Sequence, residues 1–279
     1  MSNPLNYEGK RVLVAGCFSG MGAAAAVILK DLGAHVTGFD IRMPESQLDE
    51  FREVDLKDEG AIARAVGEAA SQGPIDNVFY CAGLGPVHPP LDVMRVNFLG
   101  LRDTVEACIP HMPRGGSIAT ISSGAGVGYL VAMGDVLEFL AIEDRTEACR
   151  WIESRSKAPD WNAYVFSKQC IIVYTARQGV TLAPDNGVRI NCISPGPTAT
   201  PMMPDFVATA GEKYMARYPR PVAGDATPEQ QAWILAFLGT GLAAYINGEN
   251  IFSDGGTSMG LMTGAIDPAR VQPDTEENG

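Results

Sequence analysis

The chain has 279 residues, 46% of them hydrophobic, enough for one α/β domain with a substantial core, and no break in composition marks a second. Its formal charge of −12 at pH 7 argues against nucleic acid or an anionic membrane as a partner, because both select for basic surfaces. The start Met1-Ser2-Asn3-Pro4 has no basic segment leading into an apolar one, and no run approaches ~18 apolar residues, so a cytoplasmic protein is expected rather than an exported or membrane-spanning one. Cys17, Cys81, Cys108, Cys149, Cys170 and Cys192 form no C-x-x-C pair and read as reduced, packed thiols, Cys149 being the more reachable. His35, His88 and His111 lack ligand-like spacing, and no metal is expected.

The first predicted strand, 11–15, runs into Gly16-Cys17-Phe18-Ser19-Gly20-Met21-Gly22 and then an alanine-rich helix over 21–32. Strand, glycine loop and helix make a phosphate-binding arrangement. Gly16 permits the turn, Gly20 the approach of a pyrophosphate and Gly22 close helix packing, with the helix N-terminus facing the anion. The spacing is G-x-x-x-G-x-G, not G-x-G-x-x-G. A second strand, 35–39, leads to Asp40, where a carboxylate can accept from an adenine ribose and would repel a 2′-phosphate. That favours NAD(H) over NADP(H). Arg42 is the counter-signal, since a guanidinium pairs well with phosphate, but it reads as a solvated loop charge.

The next elements are a helix over 59–70, a strand over 77–81, a helix over 91–109 and a strand over 117–122. Residues 128–161 carry two apolar stripes, Val136, Leu137, Leu140 and Ala141, then Ala148, Trp151 and Ile152, which suggest a helical hairpin covering its own subunit or a neighbour. The helix predicted over 162–182 puts Tyr164 and Lys168 four apart on one face, where an ammonium can make a phenolate more accessible. A strand over 189–193, a helix over 227–238 and a strand over 251–253 follow, and the polar stretch 267–279 is expected to be disordered. This alternation predicts a doubly wound parallel sheet with ligands at the carboxyl ends of its strands. Between the last elements, Met202, Met203, Phe206, Tyr214, Met215 and Tyr218 could form an adaptable apolar wall.

These motifs, in this order, resemble the short-chain dehydrogenase/reductase family from Gly9 to about Gly256. The resemblance rests on the glycine loop, the adenine-side Asp55 in Val54-Asp55-Leu56, the Cys81-Ala82-Gly83 turn, Asn97 in Val96-Asn97-Phe98 and Ser123 in Ile121-Ser122-Ser123. It continues through Tyr164 with Lys168, Pro195-Gly196 followed by Thr198 and Thr200, and Asp254-Gly255-Gly256. Two departures stand out. Tyr80-Cys81 occupies the place of a common Asn-Asn pair, and Ser123 lies 41 residues before Tyr164 instead of about a dozen. The resulting insertion, with Cys81-Ala82-Gly83-Leu84-Gly85-Pro86, is similar to the bacterial 3α-hydroxysteroid dehydrogenase/carbonyl reductase and coniferyl-alcohol dehydrogenase branch.

The resemblance implies a single Rossmann-type domain, a homodimer, and an NAD(H)-dependent exchange of alcohol and carbonyl. Tyr164 as phenolate would take the hydroxyl proton while hydride leaves for the nicotinamide. Lys168 would hold the nicotinamide ribose and, with an oxidised nicotinamide, lower the Tyr164 pKa, Ser123 would bind the substrate oxygen, and Asn97 would position a relay water. Gly16, Ser19, Gly20, Met21, Gly22, Asp40, Asp55, Leu56, Cys81, Ala82, Gly83, Pro195, Gly196, Thr198 and Thr200 would line the cofactor. A bulky apolar substrate, hydroxysteroid-like or an aryl alcohol, is expected. The alternatives are a cofactorless dehalogenase-like member, disfavoured by Lys168 and Asp40, and a non-catalytic NAD(H) sensor, which would be expected to have lost catalytic residues. The insertion is expected to serve assembly and the substrate mouth more than chemistry, with NAD(H) binding independent of it.

Overall fold

The computed structural model describes residues 4–46, 48–222 and 224–271. Its strands are β1 (Arg11–Ala15), β2 (His35–Asp40), β3 (Glu50–Glu53), β4 (Asn77–Tyr80), β5 (Ser117–Ile121), β6 (Arg189–Pro195) and β7 (Asn250–Ser253). They form one parallel sheet in the order β3-β2-β1-β4-β5-β6-β7. The direction of winding reverses at β1 and β4, which opens a crevice beyond their carboxyl ends. Alternation along β1 divides the core in two. Val12 and Val14 pack with helices α1 (Gly20–Asp31) and α10 (Pro228–Leu238), whereas Leu13 and Ala15 join the layer of α2 (Glu59–Ala70), α4 (Gly100–Cys108) and α7 (Ala163–Asn186).

Local chemistry sets several helix starts. Asp58 caps α2 by accepting from Ala61 N at 3.1 Å, and Asn162 caps α7 by accepting from Val165 N at 3.1 Å. Thr227 and Gln230 form a reciprocal capping box at α10, with Pro228 at its first position. Helix α7 runs past the predicted residue 182 to Asn186 and stops at Gly187, whose φ of 69° suits a left-handed cap.

Other features depart from the sequence reading. Strand β3 was not expected; it is a charged edge strand in which Arg52 reaches both Glu50 and Glu68. The helix predicted over 91–109 is divided into α3 (Pro90–Met94), a π-helical turn (Arg95–Leu99) and α4. The segment after β6 contains α8 (Met203–Ala210) and α9 (Glu212–Arg217), and α11 (Thr257–Met262) follows β7. Of the tail expected to be disordered, Pro268–Val271 forms a 3₁₀ turn, and residues 272–279 lie outside the described ones. No helix among the described residues is long and apolar enough to cross a membrane.

The inserted hairpin is α5 (Met133–Leu140) and α6 (Arg145–Arg155), and it packs on its own subunit. Val136 and Phe139 are fully buried, as are Ala148 and Ile152. Phe139 lies 5.7 Å from Phe98, 5.6 Å from Phe166 and 4.9 Å from Trp151, ring centre to ring centre. The first stripe is therefore rotated from its expected position. Leu137 and Ala141 face outward, and Phe139 takes the inner place because the aromatic cluster on α7 and the π-helical turn accepts its ring.

Candidate active site

The carboxyl ends of β1, β2, β4, β5 and β6 converge on one cavity of about 660 Å³. Every residue expected at the site lines it except Gly22 and Asn97. Gly22 acts from behind, since a Cβ there would lie 1.9 Å from the Gly16 carbonyl oxygen. Gly16 has φ of 84°, and a Cβ would meet Ala82 N at 2.4 Å, so this turn fits tightly against the one after β4. Helix α1 begins at Gly20 with no side chain capping it and no acidic residue in its first turn. Its N-terminus opens on the cavity as a place for an anion.

At the β2 corner, Asp40 accepts from Phe18 N at 3.0 Å and from Arg42 N at 3.3 Å, which orients its carboxylate into the loop. Arg42 is exposed in the loop, as its sequence reading has it, but it is also held over the cavity. Its guanidinium stacks 3.9 Å above the centre of the Phe18 ring and lines the cavity, so this corner carries both signs of charge.

At the other end, Tyr164, Lys168 and Ser123 come together. The Lys168 ammonium donates to the Ile121 carbonyl at 3.0 Å and lies 5.5 Å from the centre of the Tyr164 ring. Ser122, adjacent in sequence to Ser123, donates to the Lys168 carbonyl at 2.7 Å and ties β5 to α7. Burial pushes the Tyr164 phenol up to about 12, opposed by its hydrogen bond with Ser123. Burial also brings Lys168 down to about 8. Lys168 is not among the groups that move the phenol in the protein alone; the expected lowering involved an oxidised nicotinamide beside it as well. Both groups lose their water, and that loss is the largest cause of each shift. The site favours the protonated phenol and weakens the hold of Lys168 on its third proton.

Asn97 is wholly buried in the π-helical turn. Its Oδ1 accepts from Leu84 N at 2.7 Å, and its Nδ2 donates to Leu84 O at 3.1 Å and Ser167 Oγ at 3.2 Å. It braces the loop after β4 from behind the cavity wall. A Cβ at Gly83 would lie 3.6 Å from Asn97 Oδ1 and 4.0 Å from Lys168 Nζ, so Gly83 adjoins both.

All six residues of the proposed apolar wall, Met202, Met203, Phe206, Tyr214, Met215 and Tyr218, line the cavity, and Phe206 meets the Tyr164 ring edge-on at 5.2 Å. Sequence reasoning missed Phe18, Lys57, Leu84 and the Ile121 carbonyl. The first three had no chemical signature, and the last is a backbone atom.

Residues 10–134 match the short chain dehydrogenase family model, and residues 148–258 match that of enoyl-(acyl carrier protein) reductase. The coniferyl-alcohol dehydrogenase of Pseudomonas sp. (strain HR199 / DSM 7063) is 32% identical, covering 90% of this chain and 98% of its own. The 3-alpha-hydroxysteroid dehydrogenase/carbonyl reductase of Comamonas testosteroni is 31% identical, covering 88% and 95%. The crystal structure of the 3-alpha-hydroxysteroid dehydrogenase from Pseudomonas sp. B-0831, complexed with NADH, superposes with a TM-score of 0.77 at 26% identity, covering 92% of this chain and all of that one.

Proposed function

Because the chain belongs to the short-chain dehydrogenase/reductase family, we propose that it binds NAD(H) and interconverts an alcohol and a carbonyl on a bulky apolar substrate, hydroxysteroid-like or aryl. The observation that carries this reading is the single cavity that joins the glycine loop and Asp40 at one end to Tyr164, Lys168 and Ser123 at the other. The uncapped start of α1 suits a pyrophosphate, and Asp40 suits a ribose diol. A bound nicotinamide dinucleotide supplies the hydride chemistry and, when oxidised, a positive charge.

The protein's own groups handle the proton. Tyr164 holds it on the phenol oxygen and exchanges it with the substrate oxygen, while Ser123 fixes that oxygen by a hydrogen bond. Lys168, tethered to Ile121, orients its ammonium toward the ribose side and favours phenolate once another cation shares the site. The Met and aromatic wall supports an apolar substrate over a sugar, because it offers area and adaptability but few hydrogen bonds. Absorbance at the nicotinamide band, with purified protein, either dinucleotide and a panel of hydroxysteroids, aryl alcohols and their carbonyl forms, tests the proposal. Turnover with NAD(H) and an apolar substrate is expected. Dinucleotide binding without turnover of any panel member, or turnover of sugars alone, would overturn it.

A further inference from the structure

The insertion touches the stretch after β3 that lines the cavity. Arg145, at the first position of α6, donates from Nη2 to the Lys57 carbonyl at 2.8 Å. Its Nη1 pairs with the carboxylate of Asp103 on α4, and both side chains are largely buried. Lys57 ends the segment Asp55-Leu56-Lys57, all of which lines the cavity, and Lys57 N donates to Asp55 Oδ1 at 2.9 Å. The segment lies close on α4, since a Cβ at Gly100 would come 2.6 Å from the Leu56 carbonyl oxygen. One planar guanidinium thus joins the insertion, α4 and the loop after β3. Its two-pronged geometry fixes the Lys57 carbonyl in direction as well as distance.

We infer that Arg145 is a positioning residue for the adenine half of the dinucleotide site, holding Asp55 and Leu56 in place through the Lys57 carbonyl, so that the insertion takes part in cofactor binding. This rests on the dinucleotide reading above and goes beyond it. The insertion was expected to be dispensable for NAD(H), and this contact argues otherwise. A purely architectural role for Arg145 would change overall stability without distinguishing the two ends of the cofactor.

The test is to titrate wild type and Arg145→Met with NADH, 5′-AMP and nicotinamide mononucleotide, following each by calorimetry. The dissociation constants of NADH and AMP are expected to rise together by about tenfold, the scale of one lost hydrogen bond, and that of the mononucleotide to stay within about twofold. Unchanged NADH and AMP affinities, or equal weakening of all three probes, would overturn the inference while leaving the dinucleotide reading intact. Wild-type protein that binds none of the probes would overturn that reading and the inference with it. Should Arg145→Met not fold, Arg145→Lys takes its place under the same criteria, since it keeps a cation against Asp103 without the second prong for Lys57.

Discussion

Removing one oxygen from Tyr164 separates chemistry from binding. Tyr164→Phe keeps the ring against Phe206 and loses only the proposed proton carrier. Its kcat is expected to fall by ~10²–10⁴ with NAD(H) affinity nearly unchanged, which steady-state rates and a cofactor titration would check. If more than about a tenth of kcat survived, against that usual range, Tyr164 would not be the acid/base. At the opposite corner the proposed preference for NAD(H) turns on two residues. Asp40 disfavours a 2′-phosphate by repulsion, and Arg42, stacked on Phe18, offers it a guanidinium. The ratio of kcat/KM for NAD(H) over NADP(H) should exceed one in the wild type and shrink in Asp40→Ala. Equal efficiency in the wild type, or a preference for NADP(H), would mean that Arg42 governs the ribose contact.

For the inserted hairpin, periodicity predicts the helices, but packing decides which way they face. Phe139→Ala should cost about 3–5 kcal/mol, because it empties the centre of the aromatic cluster. Leu137→Ser, on the exposed side of the same helix, should change stability by less than about 0.5 kcal/mol. Urea unfolding of both variants checks the phase of the stripe, and equal losses would contradict it. The same contrast explains what could be read from the sequence. The strands β1, β4 and β5 and the residues of both ends of the cavity were legible, since each carries a local or chemical signature, whereas Asp58, Asn162 and Thr227 were not read as caps. Strand β3 was not, because its Glu-Phe-Arg-Glu run gives no apolar alternation and pairing with β2 alone makes it a strand. Nor was the π-helical turn at Asn97, whose buried amide satisfies the backbone of Leu84, a partner distant in sequence.

For the whole molecule, buried acids set the alkaline limit of stability. Burial pushes Cys17, Cys81, Cys108 and Cys192 up to about 12, and it raises Cys170 well above the ordinary thiol value. Burial likewise raises the phenols of Tyr7, Tyr80, Tyr164 and Tyr174. Once pH passes the ordinary values of 9.0 and 10.0, the unfolded chain sheds these protons and the folded chain keeps them. Their contribution is therefore complete below about pH 9 and is lost as pH rises through the folded values. Lys168 has the opposite sign. Its folded value is about 8 against 10.5, so between those limits the unfolded chain binds the extra proton and this one group makes stability rise with pH. Many acids outweigh one base, and each fully engaged acid removes about 1.4 kcal/mol per pH unit. Stability is therefore expected to be level near neutrality and to fall steeply above about pH 10, where typical margins are only ~5–15 kcal/mol. Lys168→Met isolates the opposing term. Whatever the variant gains or loses by leaving the Ile121 carbonyl without its donor is independent of pH. Its stability relative to wild type should then drop by roughly 3 kcal/mol between pH 7 and pH 10.5, as the wild type is relieved of its buried charge. Urea unfolding of both proteins at pH 7, 9 and 10.5 measures this, and parallel curves would mean that burial does not depress Lys168 at all.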